Sequence, residues 1–224
     1  MRLREGNRYV HPGRIPLVST TLFVRHGTTT WNETGRIQGW APVSLTEGGR
    51  EEAAAVADHL AAARDVDGLV TSDLDRAVET AEAIADATGT PIETDSRLRE
   101  RDFGVFQGLE TGSFFDDYPA FDLLENGHDA AVATADSGES WLDVRSRVLD
   151  AAADLADRDG TVVAVSHGGP IRLVTGHHRG LDPERALTEL AVDNCSITEI
   201  GAGSEPDAEG ERSLVRSNAT PFRE

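Results

Sequence analysis

Apolar positions along the chain fall into two spacings. Short runs at Thr21-Leu22-Phe23-Val24, Gly68-Leu69-Val70-Thr71, Ile92-Glu93-Thr94 and Thr161-Val162-Val163-Ala164-Val165 read as strands, three of them buried. Between them the apolar residues recur at helical spacing. One such segment covers about 46–63, with Val56, Leu60 and several alanines on one face and Thr46 as its cap. Others run from Ser72, taken as N-cap, to about Thr88, over about 141–156, and over about 170–178 with Pro170 in the first turn. Strand and helix alternate in the manner of an α/β sheet with crossover helices.

The remaining segments lack a period. Residues 1–18 hold Pro12, Gly13 and Pro16 and read as a flexible or loosely docked extension. Residues 27–45, rich in Gly, Thr and Pro, read as a long active-site loop, and 98–108 as a second loop. Residues 109–138 carry Phe114, Phe115, Tyr118 and Phe121 among acids and small residues. We take them as a partly helical insertion that lids the site, the aromatics either contacting substrate or anchoring the insertion. Two further strands are expected at 195–200 and 213–217, around a polar turn over Gly201–Gly210. Residues 19–224 thus read as one domain.

Composition narrows the setting. The 224 residues carry 40 acidic and 21 basic side chains, a net charge of −19. Every basic residue is Arg. So acidic a surface argues against a nucleic-acid or anionic-membrane partner. It fits a saline cytoplasm, where salt screens self-repulsion, and it predicts loss of structure when salt is dialysed away. There is no apolar run of membrane-spanning length and no signal-peptide core. Cys195 is the single cysteine, which excludes an intrachain disulfide and suits the cytoplasm. Self-association into a homo-oligomer is left open.

The chemistry gathers where strands end. The first strand runs into Arg25-His26-Gly27, the second toward Arg76, and the last of the series into Ser166-His167-Gly168-Gly169. Ligands in open α/β sheets sit at the carboxyl ends of strands. Two arginines and two histidines around one point make an anion site, since guanidinium forks match phosphate oxygens. Backbone N–H groups near Gly27, Gly168 and Gly169 offer further donors. We read His26 as a nucleophile toward phosphorus, forming a phosphohistidine, with Arg25 binding the group attacked. Glu100 then protonates the leaving alkoxide and later deprotonates water. Taken singly, Glu100 is also one acid among 40. Asn32 equally suits a capped turn, and Gln38 either lines the pocket or steadies its loop. His177 and His178 adjoin on a helix and so do not share a face, which favours a capping charge over a metal site. The pairs Asp73/Asp75 and Asp116/Asp117 read as solvated surface, and Cys195 as a small buried residue.

These motifs, in this order, resemble the histidine phosphatase superfamily, the group that includes cofactor-dependent phosphoglycerate mutase. They are Arg25-His26-Gly27, Trp31-Asn32, Leu45-Thr46-Glu47-Gly48-Gly49, Ser72-Asp73-Leu74-Asp75-Arg76-Ala77-Val78-Glu79-Thr80, Leu98-Arg99-Glu100 and Ser166-His167-Gly168-Gly169. The likeness covers roughly 20–200. It implies a three-layer α/β/α sandwich around a mostly parallel sheet, catalysis without a metal or other cofactor, and a small phosphorylated metabolite as partner. It makes His26 the phosphorylated residue, puts Arg25, Asn32, Arg76 and His167 on the phosphoryl group, and makes Glu100 the proton donor.

Some positions depart from the pattern. Thr28 stands where Glu is frequent, and Gly169 where the mutases usually have Asn. Phe106-Gln107-Gly108 and Glu100-Arg101 look closer to the mutases, yet residues 109–138 contain no Arg and the chain no Lys. The expectation is therefore a phosphoric monoester hydrolase of histidine acid phosphatase type. A phosphoglycerate mutase is the first alternative and an inactive phosphate-binding module the second.

Overall fold

The strand Thr20–Arg25 (β1) forms from β-branched and apolar residues whose side chains alternate between two buried faces. In the computed structural model, which describes residues 19–201 and 213–223, it lies inside a six-stranded sheet. The other strands are Gly68–Thr71 (β2), Ile92–Thr94 (β3), Thr161–Ser166 (β4), Ile197–Gly201 (β5) and Ser213–Ala219 (β6), in the order β3-β2-β4-β1-β5-β6. The first four in that order are mutually parallel, and β5 runs against both of its neighbours. The expected extension over 1–18 and the expected turn beyond Gly201 lie outside the described residues.

Helices cover both faces, giving an α/β fold with a mixed, mostly parallel sheet. Those described are Thr30–Glu33 (α1), Glu47–Ala63 (α2), Asp75–Thr88 (α3), Thr111–Asp117 (α4), Leu123–Asn126 (α5), His128–Val132 (α6), Trp141–Ala156 (α7), Gly168–His178 (α8) and Pro183–Glu189 (α9). Leu22 and Val24 face one way, toward Val56 and Leu60 of α2 and Ala81 and Ile84 of α3. Phe23 faces the other, toward Val144 and Val148 of α7 and Leu173 and Val174 of α8. The period of two within β1 thus holds both outer layers to the sheet.

Register then sets the site. β1 pairs with β4 so that Arg25 stands opposite Ser166. The next residues, His26 and His167, leave the sheet side by side.

Some boundaries differ from the sequence pattern. The loop 27–45 contains α1, capped by Thr29, and α9 adds a helix that the apolar spacing does not signal. α8 begins at Gly168, two residues early, because His167 is its N-cap. Ser72 is not the cap of α3; that place falls to Leu74, and the serine hydroxyl is used elsewhere. Thr46 caps α2 as expected, accepting from the Gly49 N–H. Asp73, expected as solvated surface, is half-buried. It pairs with Arg99, whose guanidinium lies 4.4 Å from the Trp40 ring centroid.

The segment after Leu98 is built differently. α4, α5 and α6 are too short to persist alone. α4 holds to a small separate cluster in which Phe106, 9% exposed, and Phe114, 3% exposed, meet edge to face at 5.2 Å, while α5 and α6 lie against α9. Phe121 packs on Phe106 in the same way at 5.1 Å. Such pairs contribute about 0.5–1.5 kcal/mol each beyond their burial.

Candidate active site

His26 is 3% exposed, and both its ring nitrogens are accounted for. Nδ1 lies 2.7 Å from the Gly27 carbonyl oxygen, which can only accept. The proton therefore sits on Nδ1 and the lone pair on Nε2. Arg76 Nε donates to that lone pair at 3.2 Å. Burial, then the charges of Arg76 and Arg25, hold the imidazole well below its ordinary pKa of 6.5. It is neutral at pH 7, as a nucleophile must be. Its backbone is equally fixed: the N–H donates to Ser166 O at 3.0 Å and the carbonyl accepts from Asn194 Nδ2 at 2.9 Å.

Arg76 is 1% exposed and enters from the first turn of α3. Nη2 donates to Gly39 O at 2.8 Å, and no carboxylate among the described residues pairs with it. Burial lowers its pKa to about 10, so it keeps its charge at pH 7. Thr80, one turn further along α3, donates to Arg76 O at 2.8 Å and accepts the Gly27 N–H at 3.1 Å. That single hydroxyl ties the nucleophile's loop to the helix carrying its cation.

His167 is fully buried beside His26, with ring centroids 5.1 Å apart. Ser72 Oγ accepts the Leu74 N–H and lies 2.8 Å from His167 Nε2. With the hydroxyl proton directed to that nitrogen, the ring proton rests on Nδ1, a buried atom without a hydrogen-bond partner. Burial and the charge of Arg76 push this imidazole, too, well below 6.5. Arg25 contributes a second orphan. Nη1 donates to Val192 O at 2.6 Å, while the buried Nε has no partner. Buried polar nitrogens are rarely left unpaired, and here two of them, Arg25 Nε and His167 Nδ1, belong to residues next to His26.

Glu100 stands across this point. Its carboxylate accepts the Arg101 N–H at 2.9 Å and the Gly169 N–H at 3.2 Å. Its own carbonyl accepts from Trp40 Nε1 at 2.7 Å and Arg147 Nη2 at 2.9 Å. Gly169 leaves room for the carboxylate: an added Cβ would lie 2.4 Å from Glu100 Oε1 and 2.6 Å from the Trp141 ring, so one of these side chains would have to shift.

The cleft above these groups measures about 540 Å³ and is lined by Arg25, His26, Gln38, Arg76, Glu100 and Gly168, among others. Six of the eight residues singled out in the sequence therefore meet there. His167 lies beneath His26. Asn32 is placed apart: its Oδ1 accepts the Thr29 N–H at 3.1 Å in the capping box of α1, and it is not part of the cleft wall. Gln38 serves both of its expected roles, lining the cleft and meeting Thr29 Oγ1 at 3.0 Å. Of the expected backbone donors, Gly27 N–H is spent on Thr80 and Gly169 N–H on Glu100. Thr28 turns to Glu52, donating its hydroxyl proton at 2.8 Å. Phe114, Phe115 and Phe121 line the cleft, and Phe114 packs on each of the other two, so the aromatics anchor the insertion.

Sequence reasoning missed Arg36, Arg101, Arg172, Trp141 and Asn194. Arg101 is 1% exposed, with ring centroids of Phe103 and Trp141 at 4.9 and 5.1 Å, and burial brings its pKa to about 10. Its position next to Glu100 was the one available signal. Arg172 lies one helical turn beyond Gly168 and was readable only once α8 was known to begin there. Among the described residues no three His, Cys, Asp or Glu side chains cluster as a metal site. No helix among them is long and apolar enough to cross a membrane.

The chain is similar to known proteins. A protein named glucosyl-3-phosphoglycerate phosphatase, from Mycolicibacterium vanbaalenii, is 35% identical over 189 residues, covering 80% of this chain and 79% of that protein. "Probable phosphoglycerate mutase GpmB" of Enterobacter sp. (strain 638) is 36% identical over 187 residues, covering 82% of this chain and 85% of its own. A solved structure of mycobacterial glucosyl-3-phosphoglycerate phosphatase in complex with VO3 superposes with a TM-score of 0.74 at 31% identity, covering 90% of this chain and 100% of that one. The family model described as histidine phosphatase superfamily (branch 1) matches residues 21–214, and the chain belongs to that superfamily.

Proposed function

We propose that the protein is a metal-independent phosphomonoesterase, a cytoplasmic phosphoric monoester hydrolase of histidine acid phosphatase type, acting through a phosphohistidine on His26. The observation that carries this reading is the unprotonated Nε2 of a buried, neutral His26, placed against Arg76 and beside the unpartnered donors of Arg25 and His167. A phosphoryl group seated there meets a nucleophile on one side and N–H donors around its equatorial oxygens.

In the first step His26 Nε2 attacks phosphorus, and the P–O bond to the alcohol breaks in line. Glu100 gives its proton to the departing oxygen. The Gly27 carbonyl, holding Nδ1–H, stabilises the positive ring that results. In the second step Glu100 takes a proton from water, the water oxygen bonds to phosphorus, and the P–N bond returns its electrons to Nε2. Arg25, Arg76, His167 and the Gly168 N–H hold the phosphoryl oxygens throughout. Asn32 acts at one remove, since its Oδ1 lies 3.4 Å from the Asn194 amide that grips His26 O.

Hydrolysis is favoured over isomerisation by the wall at 109–138. It supplies aromatic and acidic side chains but no cation to hold the second phosphoryl group of a bisphosphate. The relatives' names make phosphoglycerate esters the first substrates to try. Incubation with 3-phosphoglycerate is expected to release inorganic phosphate and glycerate. Accumulation of 2-phosphoglycerate without free phosphate would make the protein a mutase. Binding without either product would make it the silent module.

A further inference from the structure

The imidazole of His26 is aimed by one peptide group. Its Nδ1 lies 2.7 Å from Gly27 O, and the same peptide ends in the Thr28 N–H. A trans peptide is planar, so its C=O and N–H point in opposite directions. Whatever holds the Thr28 N–H therefore fixes the direction of Gly27 O. Glu52 of α2 is that holder: its Oε2 accepts the Thr28 N–H at 3.0 Å and the Thr28 hydroxyl at 2.8 Å.

The first turns of α2 explain how Glu52 comes within reach. Gly49 lies one turn earlier on the same face, and the loop rests on it. A Cβ on Gly49 would lie 2.0 Å from Thr28 O, and one on Gly27 would lie 2.4 Å from Gly49 O. The Thr46 N–H donates to Thr28 O at 2.9 Å, drawing the loop down further. Glu52 itself is not part of the cleft wall, so it stands behind the nucleophile and away from the substrate.

The other oxygen of Glu52 is held from the end of the chain. Arg223, in the turn Pro221–Arg223, donates from Nη2 to Glu52 Oε1 at 3.0 Å and to Asn194 O at 2.9 Å. Phe222 seats this turn on α2, its ring centroid 6.2 Å from that of His59, two turns along the helix from Glu52. Asn194 in turn grips His26 O at 2.9 Å. One guanidinium thus bears on both peptides that flank Gly27.

We infer that Glu52, steadied by Arg223, is a positioning residue for the nucleophile: it holds the Gly27–Thr28 peptide so that Gly27 O keeps His26 Nε2 aimed at phosphorus. This rests on the reading of His26 as nucleophile. Neither side chain touches the phosphoryl group, which Arg25, Arg76 and His167 hold. Loss of Glu52 therefore slows attack and spares phosphate binding.

The test pairs kcat/KM for p-nitrophenyl phosphate with the inhibition constant of inorganic phosphate, which reads the phosphoryl site without the chemical step. Glu52→Ala is expected to lower kcat/KM by about 10- to 100-fold, the scale of a misplaced reacting atom, with the phosphate constant within about twofold of wild type. Glu52→Gln keeps an oxygen that can accept the Thr28 N–H, and it is expected to recover kcat/KM to within about fivefold of wild type. Arg223→Ala is expected to cost no more than about fivefold, the scale of a half-exposed ion pair, and to add little in the Glu52→Ala background. Losses that multiply in the double variant would take Arg223 out of the pair. Unchanged kcat/KM in Glu52→Ala, or equal losses of turnover and phosphate binding with Glu52→Gln no better, would overturn the inference and leave the nucleophile reading intact. A wild-type chain no faster than His26→Ala overturns both.

Discussion

The cleft has a floor and a wall, and they are made in opposite ways. The floor is His26, Arg76 and His167, each 3% exposed or less, delivered by strand ends and the first turns of helices. Its nitrogens are held by backbone carbonyls and a serine hydroxyl, and its parts come from three parallel strands with a fixed register. The wall, residues 109–138, is a run of single turns and short helices, held in part to an aromatic cluster around Phe106 and Phe114. It leaves Phe115 41% and Leu124 81% exposed. The floor needs a rigid sheet because phosphoryl transfer tolerates little misplacement. The wall needs only to present surface to the alcohol. The bond broken is thus specified by the sheet, and the substrate by what is laid over it.

Glu100 joins the two regions, and moving it is the sharpest way to break the comparison. Gly169→Asn forces a Cβ to within 2.4 Å of Glu100 Oε1. We expect hydrolysis of an alkyl phosphate, whose leaving group needs a proton, to fall about 100-fold. Hydrolysis of p-nitrophenyl phosphate, whose leaving group does not, is expected to fall only a few-fold. Equal losses on both would show that Gly169 serves the fold and not the proton donor.

The floor also makes an acid-sensitive core. His26 and His167 have folded-state pKa values below the ordinary 6.5, so the unfolded chain binds more protons as pH falls through 6.5. Stability therefore declines with acid from about pH 6.5 downward, by up to about 1.4 kcal/mol per pH unit for each histidine, and is flat in this respect above it. Urea midpoints between pH 7.5 and 5.5 should fall less steeply in His167→Gln than in the wild type. Parallel slopes would contradict the buried neutral pair.

The smallest effect belongs to the wall. Phe115→Ser is expected to raise KM about threefold for esters of apolar alcohols, leave p-nitrophenyl phosphate kcat unchanged, and shift stability by no more than about 0.5 kcal/mol. A large loss of kcat would show that wall and floor are coupled.

The same division governs what is legible in the sequence. The floor can be read because strand ends advertise themselves: packing alone seldom calls for an apolar run that stops at Arg25-His26-Gly27 or Ser166-His167-Gly168. Register cannot be read, and it is register that sets His26 beside His167. The role of Ser72 is misleading because a serine before a helix looks like a cap, whereas here it is drawn to a buried imidazole. Asn32 shows the reverse, a residue whose capping geometry takes precedence over the cleft. Arg101 and Arg172 are hidden among 21 arginines, since only packing shows which of them lack an acid partner. The wall has no period to read, and its aromatics can be placed only by their mutual contacts.

The most direct test of a phosphohistidine on His26 is to trap it. Brief incubation with a 32P-labelled phosphomonoester, followed by denaturing quench, should leave label on the protein that is stable to base, lost in acid and mapped to the peptide containing His26. In His26→Ala both label and turnover should vanish. Undiminished turnover in His26→Ala, or label on another residue, would contradict it.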